Sequence, residues 1–284
     1  MSAMDARRSG YLPGRICGTV LTLLLSCLGA AEARMQPSLD VTAIIEKVDS
    51  VYGDRETVQG HFERSNQLGE HKEVVRGRFF YRRPAMVRID NLEPSEQSLI
   101  SDGKELWFFN PAKGTAGRKA FSPTEGQVMS AGIAGIAQHN PFQLLADVYR
   151  CERIDDFDGH IVVSCSPPGE SQTISSVLVK VSPQHWTVSA YEVFDKNGSL
   201  VSQTKFLDMR QVDTFWFPAR TETRVSLGEE LAQETVTYSR IRINEPIDEG
   251  LFVFTPSEKI RVIEAHEPTQ GRGRNREERS HGIP

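Results

Sequence analysis

The residue types that perform covalent or metal chemistry are present in this chain, but not in the spacings such chemistry needs. There is no Gly-x-Ser-x-Gly to present a nucleophilic serine on an elbow and no His-Glu-x-x-His to hold zinc. Nor is there a Gly-x-x-x-x-Gly-Lys followed by Ser or Thr to cradle phosphates. The seven histidines, His61, His71, His139, His160, His185, His266 and His281, fall in scattered contexts without ligand spacing. Asp155, Asp156 and Asp158 resemble the opening of a calcium loop, but the later acidic ligand is missing at the required distance, so they read as a solvated turn. Asn197-Gly198-Ser199 matches a glycosylation sequon and is equally explained as a hairpin turn. The expectation is a protein that is not an enzyme and has no metal or other cofactor.

Two of the four cysteines, Cys17 and Cys27, lie near the N-terminus, which leaves Cys151 and Cys165. These two are equidistant from Asp158 in a segment that reads as two strands around Asp156-Phe157-Asp158-Gly159, so they should face each other across a hairpin. An oxidising compartment permits a disulfide there. The other reading is a pair of reduced thiols packed as small hydrophobes.

The charge balance is 33 Lys and Arg against 38 Asp and Glu, a formal net charge of −5 with both signs interspersed. No clustered basic face marks a nucleic-acid partner. At the N-terminus, Arg7, Arg8 and Arg15 precede an uncharged apolar run from Ile16 to Ala31, and Ala31-Glu32-Ala33 offers the small residues of a cleavage site. Residues 1–33 are therefore expected to be a secretory signal peptide, the run being shorter than the roughly 20 residues that span a bilayer. Leu24-Leu25-Ser26-Cys27 also loosely resembles a lipobox, in which Cys27 would become a lipidated first residue and tether the chain to a membrane.

The elements that must position any site change period after the first few turns of the mature chain. Ser38 is expected to cap a helix through Val41, Ile44, Ile45 and Val48 that ends near Gly53. Extended runs follow at 57–67, 72–82, 86–90, 96–101 and 105–110, with Asp102-Gly103 as a two-residue hairpin signal. The strand pattern lapses between Pro111 and Asp147, where Pro141 starts a helical turn. It resumes in seven runs from Arg150 to Ile243, giving about a dozen strands. The tail, residues 266–284, is expected to be disordered. The fold class is mainly β: a single curled antiparallel sheet, a half-open barrel of about eleven or more strands, lidded by short helices.

Phe79, Tyr81, Val87, Ile89, Trp107 and Phe109 alternate as one strand face should, either as a filled core or as the wall of an apolar cavity. Met129, Ile133, Ile136, Phe142 and Leu145 read as the inner face of a lid or as a small core beneath a loop.

Gly77-Arg78-Phe79-Phe80-Tyr81-Arg82-Arg83-Pro84, followed by Leu99 to Pro111 (Leu-Ile-Ser-Asp-Gly-Lys-Glu-Leu-Trp-Phe-Phe-Asn-Pro), resembles the bacterial outer-membrane lipoprotein carriers of the LolA type. Asn140 to Leu145 and Leu251 to Pro256 add support in the same order, so the resemblance spans about residues 38 to 262. It implies that residues 34–265 form one half-barrel whose apolar cavity binds the acyl chains of lipoproteins or lipids. The carrier would be a periplasmic monomer that shuttles cargo from an inner-membrane ABC lipoprotein-release transporter toward the outer membrane, where an acceptor could receive it. It further implies that Arg83, the arginine before proline, bonds the lid backbone and keeps the empty cavity closed. An aromatic that retains cargo in the family is replaced here by Val87, and the chain is longer than the family between Val181 and Ile243. Two other readings are a membrane-tethered, LolB-like lipoprotein acceptor if Cys27 is lipidated, and a periplasmic lipid-sensing regulator of envelope stress. For the regulator, the residues after Pro268 are too few to form a separate interaction domain.

Overall fold

A helix followed by a long meander is the first consequence of the change of period. In the computed structural model, which describes residues 40–53, 55–120, 141–154, 156–169, 173–228 and 230–264, helix α1 runs Val41–Tyr52. Ile44, Val48 and Tyr52 recur every four residues and are all buried, so one stripe of the helix faces the sheet. Its cap is Asp40 rather than the expected Ser38: the Asp40 carboxylate accepts from the Ala43 amide at 2.7 Å and places negative charge at the positive end of the helix. The signal segment 1–33 with Cys27, Ser38, the lid residues Met129, Ile133 and Ile136, and the tail 266–284 lie outside the described residues.

Among the described residues, fourteen strands form one sheet. The first six are β1 (Thr57–Leu68), β2 (His71–Arg82), β3 (Met86–Glu93), β4 (Gln97–Ser101), β5 (Glu105–Asn110) and β6 (Thr115–Ala120). Helix α2 (Pro141–Val148) then leads into β7 (Arg150–Arg153), β8 (Ile161–Ser166), β9 (Ile174–Ser182), β10 (Thr187–Asp195) and β11 (Leu200–Val212). The chain continues through β12 (Phe215–Leu227) and β13 (Glu230–Ile243), a 3₁₀ turn at Glu249–Phe252, and β14 (Arg261–Glu264). The spatial order is β14-β6-β5-β4-β3-β2-β1-β13-β12-β11-β10-β9-β8-β7. Two meanders thus join where β1 pairs with β13, and the outermost strands, β14 and β7, do not meet. Cumulative twist over so many strands curls the sheet, and the unpaired ends leave it unclosed.

Two strands were not expected. β6 carries no apolar alternation; it forms because the turn at Pro111–Gly114, with Gly114 at φ +58°, returns the chain along the whole length of β5. β14 pairs with β6 in parallel, the one parallel pair among the described strands. The other ladders are antiparallel, as the sequence implied.

One face of the sheet carries two large apolar groups. On β1, β2, β3, β12 and β13 it carries Val58, Phe62, Phe79, Tyr81, Val87, Phe217, Val236 and Tyr238, all buried. Tyr238 meets Phe79 and Phe217 edge to face at 5.9 and 5.6 Å. Gly77 makes room for this packing: a Cβ there would lie 2.2 Å from the Asp90 carbonyl oxygen and 2.6 Å from the Phe62 ring. Further along the same face, Ile161, Val163, Val179, Val181 and Val188 receive Ile44, Val48 and Tyr52 of α1 and Phe142 of α2. Phe206 touches both groups and makes the surface continuous.

Candidate functional site: the helix-bearing face

The candidate site is this apolar face together with the helices laid on it. Arg83 follows the last residue of β2, just before Pro84, and is half-buried. Its backbone amide donates to the Glu56 carbonyl at 2.9 Å, and its guanidinium donates to the carbonyl of Gly53. Gly53 is the C-cap of α1, so the cation sits at the negative end of that helix and ties it to the strand carrying Phe79 and Tyr81. Tyr81 is buried beneath this junction. Its hydroxyl donates to the Pro84 carbonyl at 3.3 Å, and burial pushes its pKa up to about 12 despite the nearby Arg83.

Of the six residues expected on one strand face, the structure brings together Phe79, Tyr81, Val87 and Ile89. Trp107 and Phe109 lie on the opposite face. The Asp102-Gly103 turn is a four-residue connection in which the Asp102 carboxylate accepts from the Lys104 and Glu105 amides, and Ser101 opposes Leu106. This register sets the odd-numbered residues of β5 beside the even-numbered residues of β4, so Trp107 opposes Ile100, which opposes Arg88. Both aromatics are covered by the segment after the 3₁₀ turn: Phe254 lies 5.3 Å from Trp107 and 5.0 Å from Phe109. The Arg88 guanidinium donates to the Leu251 carbonyl at 3.0 Å and holds that segment in place.

Of the lid residues within the described part, Phe142 is fully buried and Leu145 half-buried, both packed with α1 on the apolar face. Cys151 opposes Cys165 across the β7–β8 ladder, and the two are joined as a disulfide under the same helices.

Two features of the site left no pattern in the sequence. Arg55, between α1 and β1, is 2% exposed. Its Nη2 donates to the Trp216 carbonyl at 2.7 Å, and its guanidinium lies over the rings of Tyr52 at 4.5 Å and Phe215 at 5.7 Å. Nε and Nη1 have no acceptor, and burial pushes the arginine pKa down, with Tyr52 opposing the shift. Tyr191, on the same face, is half-buried with its hydroxyl inward and unpartnered, and burial raises its pKa well above the usual value. Only burial distinguishes such residues from the chain's other arginines and tyrosines.

The other face of β1, β2 and β13 is polar. A β-bulge in which Gly60 opposes two residues, with Arg240 at φ +53°, gathers His61, Arg78, Arg240 and Arg242 around a cleft of about 470 Å³. Arg78 is paired with the buried Asp90 at 3.0 Å and Arg242 with Glu245 at 3.1 Å. The pKa of His61 is lowered, first by desolvation and then by Arg240, Arg78 and Arg242.

An unclosed, curled β-sheet carrying helices on one face defines a half-barrel. The family model for outer membrane lipoprotein carrier protein LolA matches residues 54–215, more than half of the chain, and the chain belongs to that family. It is similar to the outer-membrane lipoprotein carrier protein of Haemophilus ducreyi, 36% identical over 99 residues, covering 34% of this chain and 44% of that one. It is also similar to that of Actinobacillus pleuropneumoniae serotype 7, 33% identical over 90 residues, covering 31% and 39%. The chain thus spans less than half the length of these curated relatives. Among solved structures, a LolA superfamily protein of Nitrosomonas europaea matches at TM-score 0.55 and 16% identity, over 76% of this chain and 99% of its own. A DUF1329 family protein of Desulfovibrio piger matches at TM-score 0.57 and 15% identity, over 74% and 94%. These two likenesses are of fold.

Proposed function

We propose that the protein is a periplasmic carrier that takes the acyl chains of lipoproteins, or of lipids, on its helix-bearing face and shuttles them from the inner to the outer membrane without chemistry. The observation that carries this reading is the single apolar surface continuous from Val87 to Val163, with α1 laid on it and fastened by Arg83 to Gly53. Each acyl methylene removed from water contributes about 0.8 kcal/mol, so a carrier needs an apolar surface that can be covered and uncovered rather than a catalytic group. A guanidinium bonded to a helix-terminal carbonyl suits that task, because the tie can be broken and remade without covalent change. An inner-membrane ABC transporter that releases lipoproteins is the natural donor and an outer-membrane acceptor the natural recipient.

The test is titration of the purified mature protein with a fluorescent long-chain acyl probe. Saturable binding that Phe79→Asp abolishes supports the reading, and absence of binding by the folded protein overturns it. The Leu24-Leu25-Ser26-Cys27 sequence favours one second reading, a membrane-tethered acceptor. Mass spectrometry of protein from its own envelope fraction separates the two: a free N-terminus at Arg34 supports the soluble carrier, and a diacylated Cys27 supports the tethered acceptor.

A further inference from the structure

We propose that Arg55 receives the anionic head group of an acyl ligand held on the helix-bearing face, so that the preferred cargo ends in a carboxylate or phosphate. This rests on the acyl-carrier reading above and names the chemistry of its ligand.

A guanidinium has five N–H donors and no acceptor. In Arg55 one donor meets the Trp216 carbonyl, while Nε and Nη1, which carry three of the five, meet nothing. The side chain is 2% exposed, so water does not serve these donors as it does for a surface arginine, and no ion pair among the described residues includes it. A buried charge without a counter-charge is among the most destabilising features a fold can retain. The ring faces of Tyr52 and Phe215 compensate it only in part. A single tie to the Trp216 carbonyl would need only one neutral donor. The positive charge and the spare donors therefore suit an anionic group.

The surroundings specify what is attached to that anion. Tyr52 belongs to the apolar group under α1, and Phe215 packs on the group centred on Phe79 and Tyr238. Arg55 touches both rings, so it stands where the two halves of the apolar face adjoin. A head group bonded there leaves its hydrocarbon chain to run along either half. Tyr191, in the same apolar group as Tyr52, holds a further unpartnered hydroxyl donor on this face.

The test compares three ligands of one chain length, palmitate, hexadecyl phosphate and hexadecanol, by calorimetric titration of the full mature protein. The wild type is expected to bind at least one of the two anions about tenfold or more tightly than the alcohol, the worth of a charge-assisted hydrogen bond. Whichever anion leads identifies a fatty acid or a phospholipid as the source. Arg55→Met should bind all three alike at the affinity of the alcohol and, with the uncompensated charge gone, should unfold at a higher temperature than the empty wild type. Equal binding of anions and alcohol by the wild type overturns the role of Arg55 and leaves the carrier reading standing. Binding of none of the three overturns both. The wild-type comparison decides the matter even if the variant does not fold.

Discussion

Arg83 and Gly53 are thirty residues apart in the chain, yet the guanidinium of the first donates to the carbonyl of the second and fixes the end of α1 against the sheet. The contact is a hydrogen bond between a strand that belongs to the apolar face and a helix that covers it. Its loss would loosen the end of the helix and leave the strand ladders intact.

Arg83→Leu should leave the sheet folded while loosening α1. Loss of a charge-assisted bond corresponds to about 1.5–3 kcal/mol, which hydrogen exchange would show as faster exchange of amides in the last turn of α1, with β1 and β13 unchanged. A bound acyl probe should then pass less readily to an acceptor vesicle. Unchanged exchange and unchanged transfer would remove the fastening role.

Gly77→Ala should destabilise the whole fold. The added methyl meets the Asp90 carbonyl oxygen and the Phe62 ring, one of them backbone that cannot step aside. Overpacking of this kind costs about 1–3 kcal/mol, readable as a lower urea midpoint. A variant as stable as the wild type would show that β2 and β3 can separate locally.

Trp107→Ala and Phe79→Ala should behave differently although both remove buried aromatics, a change that costs about 3–5 kcal/mol. Phe79 lies on the helix-bearing face, and its truncation should weaken acyl-probe binding. Trp107 packs under Phe254, so its truncation should expose residues 253–260 to proteolysis and leave probe affinity unchanged. Equal loss of binding in both variants would mean that cargo reaches the outer face.

The lowered pKa of His61 gives a pH dependence whose sign follows directly. The fold favours the neutral imidazole, so its contribution is present above pH about 6.5 and is lost as pH falls through the lower folded value. An NMR titration should place the His61 midpoint below 6.5. Arg240→Gly, which suits the positive φ of that position, should move the midpoint upward; a midpoint unmoved by the change would exclude Arg240 as a cause.

Reduction of the disulfide should lower stability by about 3 kcal/mol, the worth of closing a loop of this size in the unfolded chain. Urea unfolding with and without reductant measures it, and coincident curves would show that the β7–β8 hairpin is held by its packing alone.

Most of the architecture was legible because alternation is a local signal: β2, with Val75, Gly77, Phe79 and Tyr81 inward, could be assigned from its own residues. What the sequence concealed was decided by partners. β6 exists because β5 offers a ladder, and Trp107 falls on the other face because the β3–β4 and β4–β5 ladders set Val87 beside Ser101 and Ser101 beside Leu106, a relation between strands that no pattern within β5 encodes. Arg83 stood out through a motif, whereas Arg55 has none; its meaning lies in a carbonyl from Trp216, far along the chain, and in the missing acceptors around it.

The seam between β1 and β13 has a kinetic consequence. Val58 pairs with Ile243, so one of the first strands to be synthesised waits for one of the last. Until the C-terminal meander arrives, β1 presents a long open edge, and the closure entropy of so distant a pairing makes this step slow. Assembly of the two halves, rather than formation of either hairpin series, should set the rate at which the sheet is completed, and during that interval the half-built sheet is most exposed to aggregation.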